Sequence, residues 1–133
     1  MSDGEWTVSL RKPADVALAR KAAMSAMDGI GATAIRRTKF VTAVSEIARN
    51  VIVHAGTGVI HFKIVGFASQ SVVAECRDHG PGIPDVAKAL QDGFTTARGM
   101  GLGLGGAKRL VDRFEIVTEP GRGTTVVMEA KGR

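Results

Sequence analysis

Tyrosine is absent from this chain of 133 residues, aromatics make up 5% of it, and Cys76 is its one cysteine. A core must therefore be assembled from Val, Ile, Leu, Ala and Met. A lone cysteine cannot close an internal disulfide, which suits a reducing compartment. No apolar run approaches the roughly 20 residues needed to cross a bilayer. The start, Met1-Ser-Asp-Gly-Glu-Trp6, has neither the basic residues nor the apolar stretch of a signal peptide. The expectation is a cytoplasmic protein with no membrane role.

What is present fits one soluble domain over residues 1–133, with 44% hydrophobic and 23% charged residues. The net charge of +5 (18 basic minus 13 acidic) favours anionic ligands. Arg11, Lys12, Arg20, Lys21, Arg36, Arg37 and Lys39 carry much of it, but no aromatics are interleaved with them. They read as solvated helix faces rather than as a nucleic-acid surface.

Trp6, Val8 and Leu10 alternate with polar residues, which predicts a strand over 5–10. Pro13 suits a first helical turn, and the Ala-rich stretch to Asp28 predicts a helix ending at Gly29. Thr33 is placed to cap a second helix, on which Phe40, Val44, Ile47, Ala48, Val51 and Ala55 form one buried stripe. Gly56-Thr-Gly58 stops it. Strands are expected at 59–65 and 71–77, then a short helix from Pro84 to about Gln91. A glycine-rich loop, a helix over about 105–112 and a hairpin of 114–119 with 124–130 complete the chain. Strands come in pairs and helices in blocks. That order implies an α+β, two-layer sandwich: one mixed, mostly antiparallel sheet with helices on one face.

Three stretches carry chemistry. Glu46 and Asn50 sit one turn apart at the edge of the buried stripe, where polar side chains face a cleft. An amide oxygen suits Mg²⁺, and a carboxylate one turn away can take a proton from a hydroxyl. Taken alone, the pair reads as two solvated residues on an amphipathic helix. Asp78-His-Gly80-Pro-Gly82 follows a strand. Its glycines admit close backbone approach, and its carboxylate can accept from an exocyclic amine such as adenine's. In isolation it is also an ordinary turn. Gly99-Met-Gly101-Leu102-Gly103-Leu-Gly105-Gly106 runs into a helix, an arrangement of bare amides fit for phosphates. It matches Gly-x-Gly-x-x-Gly, but no strand precedes it and no Rossmann sheet follows. His54 extends the Glu46–Asn50 row by a turn, without the further ligands a zinc site needs.

The order Glu46-x-x-x-Asn50, Asp78-x-Gly80-x-Gly82, alternating glycines and Gly123-Thr124 resembles the Bergerat ATP-binding fold of the GHKL superfamily, over about 33–130. No transducer domain and no helical hairpin with a phosphoacceptor histidine accompany it, so a catalytic module standing alone is expected. Ser45-Glu-Ile-Ala-Arg-Asn50, Asp78-His-Gly-Pro-Gly-Ile-Pro84, Asp92-Gly-Phe-Thr-Thr96 and Lys108-Arg-Leu110 look like the bacterial anti-sigma-factor serine kinases. The short stretch between Phe94 and Gly99 is most like the switch kinase of the stressosome pathway.

That resemblance implies an ATP-dependent protein serine/threonine kinase and anti-sigma regulatory factor acting on a STAS-domain partner. By it Glu46 is the general base and Asn50 the Mg²⁺ ligand. Asp78 meets the adenine amine with Thr124 in support. Gly80 and Gly82 shape the pocket wall, and Gly99, Gly101, Leu102, Gly103 and Gly105 line the phosphates. Arg98 and Lys108 either neutralise phosphate charge or are solvated lid residues. Arg49 can point outward to dock the partner. The alternative is a non-catalytic, nucleotide-dependent module that sequesters a sigma factor or activates a PP2C-type phosphatase. The helix over 14–28 offers a face for a partner or for a second copy in a homodimer.

Overall fold

The alternating residues at the start form strand β1 (Glu5–Leu10), with Leu10 fully buried. The structure, a computed structural model, describes residues 4–83, 90 and 103–133. Helix α1 (Asp15–Gly29) begins two residues after Pro13. The buried carboxylate of Asp15 accepts from the amides of Arg11 (2.8 Å) and Lys12 (3.2 Å), which fixes the turn leaving β1. The inner face of α1 is Val16, Ala19, Ala22, Ala23, Ala26 and Met27, mostly small side chains that let a neighbouring helix come close. Met27 is fully buried and Met24 partly so, both packed in the core as expected.

Helix α2 (Ala34–Asn50) opens with the expected cap: the Thr33 hydroxyl accepts from Arg36 N at 3.3 Å. Phe40, Val44, Ile47, Ala48 and Val51 are buried, confirming the stripe. Its last member departs from the pattern. The α-helix ends at Asn50, and Val51–Ala55 form a single π-helical turn closed by Gly56 N donating to Val51 O at 2.9 Å. Helical spacing therefore does not carry through to Ala55, which is only half-buried.

Strands β2 (Gly58–Val65), β3 (Ser71–Asp78), β4 (Arg113–Glu119) and β5 (Gly123–Lys131) complete a five-stranded sheet in the order β1-β2-β3-β5-β4. Every pairing among the described residues is antiparallel, where the sequence allowed a mixed sheet. The connections explain this. The two helices α1 and α2 carry the chain down and back, so β2 starts where β1 ended. From β3 the chain passes through α3 (Gly103–Arg109) to β4, which runs in the direction of β3. Strand β5 then inserts between those two, so these like-directed strands, consecutive among the described strands, do not pair. The sequence placed this helix at 105–112; it starts earlier, at Gly103, and stops at Arg109. The expected helix from Pro84 to Gln91 lies outside the described residues.

One sheet face, made by Ile60, Phe62, Val72, Ala74, Cys76, Val126, Met128 and Ala130, meets the helices. Phe40 of α2 sets its ring edge-on to Phe62, centroids 6.4 Å apart at 80°. Burial of this aliphatic layer is the main stabilising term.

A polar clasp ties the start of α2 to the end of β5. Asp112 accepts from Arg36 Nη1 at 2.9 and 3.1 Å and from the Lys131 amide at 2.8 Å. Burial alone would raise its pKa, but the Lys131 amide and the Arg36 guanidinium outweigh that and hold it below the ordinary 3.8. A depressed folded pKa means stability present at neutral pH and lost as pH falls through it. Because the pair is partly solvated, Asp112→Asn should cost about 1 kcal/mol or less at pH 7. The difference from the native protein should shrink in thermal melts as pH falls below the ordinary 3.8 and vanish once Asp112 is protonated in the folded protein.

Candidate functional site

The site is built where β3 ends. Asp78 pairs with Gly58 of β2 on one side and with Thr124 of β5 on the other. It shares the helix-covered face with Cys76, and its backbone position lies at the open end of that face. Its Oδ1 accepts from Gly80 N at 2.9 Å, while Oδ2 has no hydrogen-bond partner among the described residues. One carboxylate oxygen thus shapes the turn and the other stays available. The Cys76 thiol behind it is pushed up to about 12, by burial first and then by the Asp78 charge. Cys76 is therefore a neutral core filler, and a thiol reagent at pH 8 should label it only after unfolding.

The turn after Asp78 fits because Gly80 and Gly82 have no side chains. A Cβ on Gly80 would sit 2.6 Å from Ala55 Cβ, and one on Gly82, at φ 80°, would sit 2.6 Å from Glu119 O. Pro81 O accepts from Gly121 N at 2.9 Å, which fastens this turn to the β4–β5 hairpin. Inside that junction is Thr118, a residue the sequence reading missed. Its hydroxyl contacts Ile83 N (2.8 Å), Thr124 Oγ1 (3.0 Å) and Gly123 O (3.2 Å). The signal was present: Phe114, Ile116 and Thr118 alternate inward on β4, so a hydroxyl stands where the pattern calls for an apolar group.

Glu46 and Asn50 occupy the last turn of α2. The Glu46 side chain is 14% exposed and accepts from Arg49 Nη1 at 3.1 Å, with Arg49 itself 48% exposed. Arg49 thus lies toward solvent, as expected. Asn50 is half-buried, and its side chain has no hydrogen-bond partner among the described residues. A Cβ on Gly103, at φ 48°, would be 3.9 Å from Asn50 Nδ2, so the start of α3 abuts the amide. Leu104, Gly105, Gly106 and Ala107 are buried, and α3 packs on α2. Gly105 therefore sits within the first turn of a helix rather than in a loop, and Lys108 is exposed. His54 is exposed on the π turn that follows Asn50. Arg98, Gly99, Gly101 and Leu102 lie outside the described residues.

Two groups of residues therefore stand at the same end of the sheet. One is Asp78, Gly80, Gly82, Thr118 and Thr124; the other is Glu46, Asn50 and Gly103. They are joined through the π turn, whose Val51 and Ala55 lie where side chains on Gly58 and Gly80 would be. A carboxylate oxygen open to an amine, glycines giving close backbone approach and an uncommitted amide beside a helix start fit a nucleoside triphosphate. A groove of about 760 Å³ runs elsewhere, between β1 and α1, with Arg11, Lys12 and Lys21 along it. It shares no residue with the cluster around Asp78.

Residues 10–130 match the histidine kinase-like ATPase domain. The chain is 38% identical over 115 residues to serine/threonine-protein kinase RsbT of Bacillus subtilis (strain 168), spanning 84% of this chain and 85% of that one. It is 36% identical over 93 residues to the anti-sigma F factor of Thermoanaerobacter sp. (strain X514), spanning 65% of this chain and 64% of that protein. Among solved structures, the histidine kinase domain of a blue-light activated histidine kinase from Erythrobacter litoralis superposes with a TM-score of 0.55. That match covers 90% of this chain and 60% of the other at 18% identity, a likeness of fold. With the family matched over most of the chain and its residues converging at one sheet end, the protein belongs to the histidine kinase-like ATPase family.

Proposed function

We propose that the protein is an ATP-dependent serine/threonine kinase and anti-sigma regulatory factor of the cytoplasm, acting on a STAS-domain partner. The observation that carries this reading is the closeness of the Asn50 side chain to the start of α3, with Glu46 one turn back. A carboxylate, a carboxamide and the start of a helix as neighbours support a phosphoryl-transfer site there.

Bound ATP would supply the phosphoryl group, and a Mg²⁺ held with it would neutralise charge on the phosphates. Asn50 Oδ1 would be the protein ligand of that cation, a hard ion that prefers oxygen donors and shares the substrate phosphates. Asp78 Oδ2 accepts from the adenine amine, with Thr124 beside it. The amides from Gly103 onward would face the phosphates with Gly105 and Lys108, and the family resemblance gives Arg98, Gly99, Gly101 and Leu102 the same role. Glu46 accepts the proton of the acceptor hydroxyl as its oxygen attacks the terminal phosphorus, and the departing oxygen stays on ADP. Arg49 must release Glu46 Oε1 or share it while this happens.

That ion pair also favours a second reading. With Glu46 held at 3.1 Å by Arg49, the site can bind nucleotide without transfer and serve to sequester a sigma factor or activate a PP2C-type phosphatase. Incubation with γ-labelled ATP, Mg²⁺ and STAS-domain proteins encoded nearby separates the two. Labelled partner that disappears with Glu46→Gln supports the kinase. Confirmed ATP binding with no labelled partner leaves the binding module.

A further inference from the structure

Thr118 contributes no ligand contact in the account above, yet its hydroxyl is the best-connected polar group at the base end of the site. A hydroxyl has one hydrogen and two lone pairs. Ile83 N–H, at 2.8 Å, uses one lone pair. The Gly123 carbonyl, at 3.2 Å, can only accept, so it takes the hydrogen. One lone pair remains for Thr124 Oγ1 at 3.0 Å, and Thr124 must therefore donate. The reverse order would turn the Thr118–Gly123 contact into two acceptors facing each other. The chain Thr124 to Thr118 to Gly123 makes every contact attractive.

This order has a chemical result. The Thr124 hydrogen is committed inward, so its oxygen offers only lone pairs to anything beside it. Thr124 is the cross-strand partner of Asp78, whose Oδ2 is also an acceptor. Among the described residues, the base end of the site therefore presents these two acceptors with the Thr124 hydroxyl unable to donate.

We infer that Thr118 is a specificity-determining positioning residue: by holding Thr124 as an acceptor beside Asp78, it makes the site select a purine with an exocyclic amine over one with a keto oxygen there. The inference rests on the reading of Asp78 as the base-binding carboxylate. An amine donates to such a pair, directly or through one water, whereas a keto oxygen meets lone pairs.

The test compares affinities for ATP and inosine triphosphate, which carries a keto oxygen in place of the amine. The native protein should prefer ATP by roughly 100-fold or more. In Thr118→Val the Thr124 hydroxyl is free to turn and donate, and the preference should drop about tenfold; Thr118→Ser should restore it. Thr124→Val, which leaves Thr118 in place, should lose discrimination likewise. Equal weakening of both nucleotides, with the ratio kept in Thr118→Val and Thr124→Val, overturns the inference and makes Thr118 merely structural. Asp78→Asn separates the layers. If it leaves ATP affinity intact, the base-site reading fails with it. If it abolishes ATP binding while the valine variants keep the ratio, only the role of Thr118 fails.

Discussion

Glu46→Gln is expected to slow phosphoryl transfer to the protein acceptor by roughly 10²–10⁴-fold while changing ATP affinity by less than about twofold. Glutamine keeps the shape of the side chain and removes its capacity to take a proton. The Arg49 ion pair that it loses is half-exposed and spans one helical turn, so its stability contribution is small. The effect should fall on the rate and leave the fold intact. Single-turnover transfer measured beside nucleotide binding reads both terms. Asn50→Ala offers the contrast, since loss of the proposed cation ligand should weaken nucleotide binding and transfer together. A Glu46→Gln protein that still transfers at a tenth of the native rate would remove Glu46 from the chemistry and favour water as proton acceptor.

Gly123→Ala is the substitution expected to harm the fold most, by about 3 kcal/mol or more, or roughly 10 °C in Tm. Two effects add. Gly123 has φ 111°, where an L side chain is strained, and its added Cβ would land on the carbonyl oxygen of Asp78, with His79 Cα 2.8 Å away. Both obstacles are backbone, so relief requires opening the β3–β5 ladder at its site end. Gly121→Ala is a matched control two residues earlier. It has φ 78° with nothing within 4 Å of the added carbon, so it carries strain without collision, about 1 kcal/mol. If the two variants melt together, steric contact at Asp78 is not what keeps residue 123 a glycine.

Local pattern carried much of the architecture. Strand β1, the Thr33 cap and the Phe40-to-Val51 stripe follow from period and capping chemistry, which act within a few residues. The π turn at Val51–Ala55 could not be read this way. Its two ends pack against Gly58 and Gly80, contacts made only after β2 and β3 are in place, while locally the sequence continues a good helical stripe. The late start of α3 in the sequence reading has a similar origin. Gly103 is a poor helix former, yet it begins the helix because α3 is buried against α2 from Leu104 onward. Within the site, Asp78, Gly80, Gly82 and Thr124 are found together as the motif order implied. Thr118 was hidden because its partners are supplied by strand register, five and six residues ahead across a hairpin and thirty-five behind. A single polar residue in an otherwise alternating apolar strand is the trace it leaves in sequence.

The insertion of β5 between β3 and β4 has a consequence for how the chain acquires its shape. Asp78 meets Thr124 across a gap of 46 residues, and neither β3 nor β4 has its inner neighbour until Gly123–Lys131 has emerged from the ribosome. Until then both strands expose unpaired edges, the apolar ones among them capable of pairing with another chain. Sheet closure and assembly of the proposed nucleotide site are thus one late, long-range event, which predicts slow folding for a domain of this size. Nucleotide present during synthesis can bind only after that closure, so it acts by trapping finished molecules rather than by guiding unfinished ones.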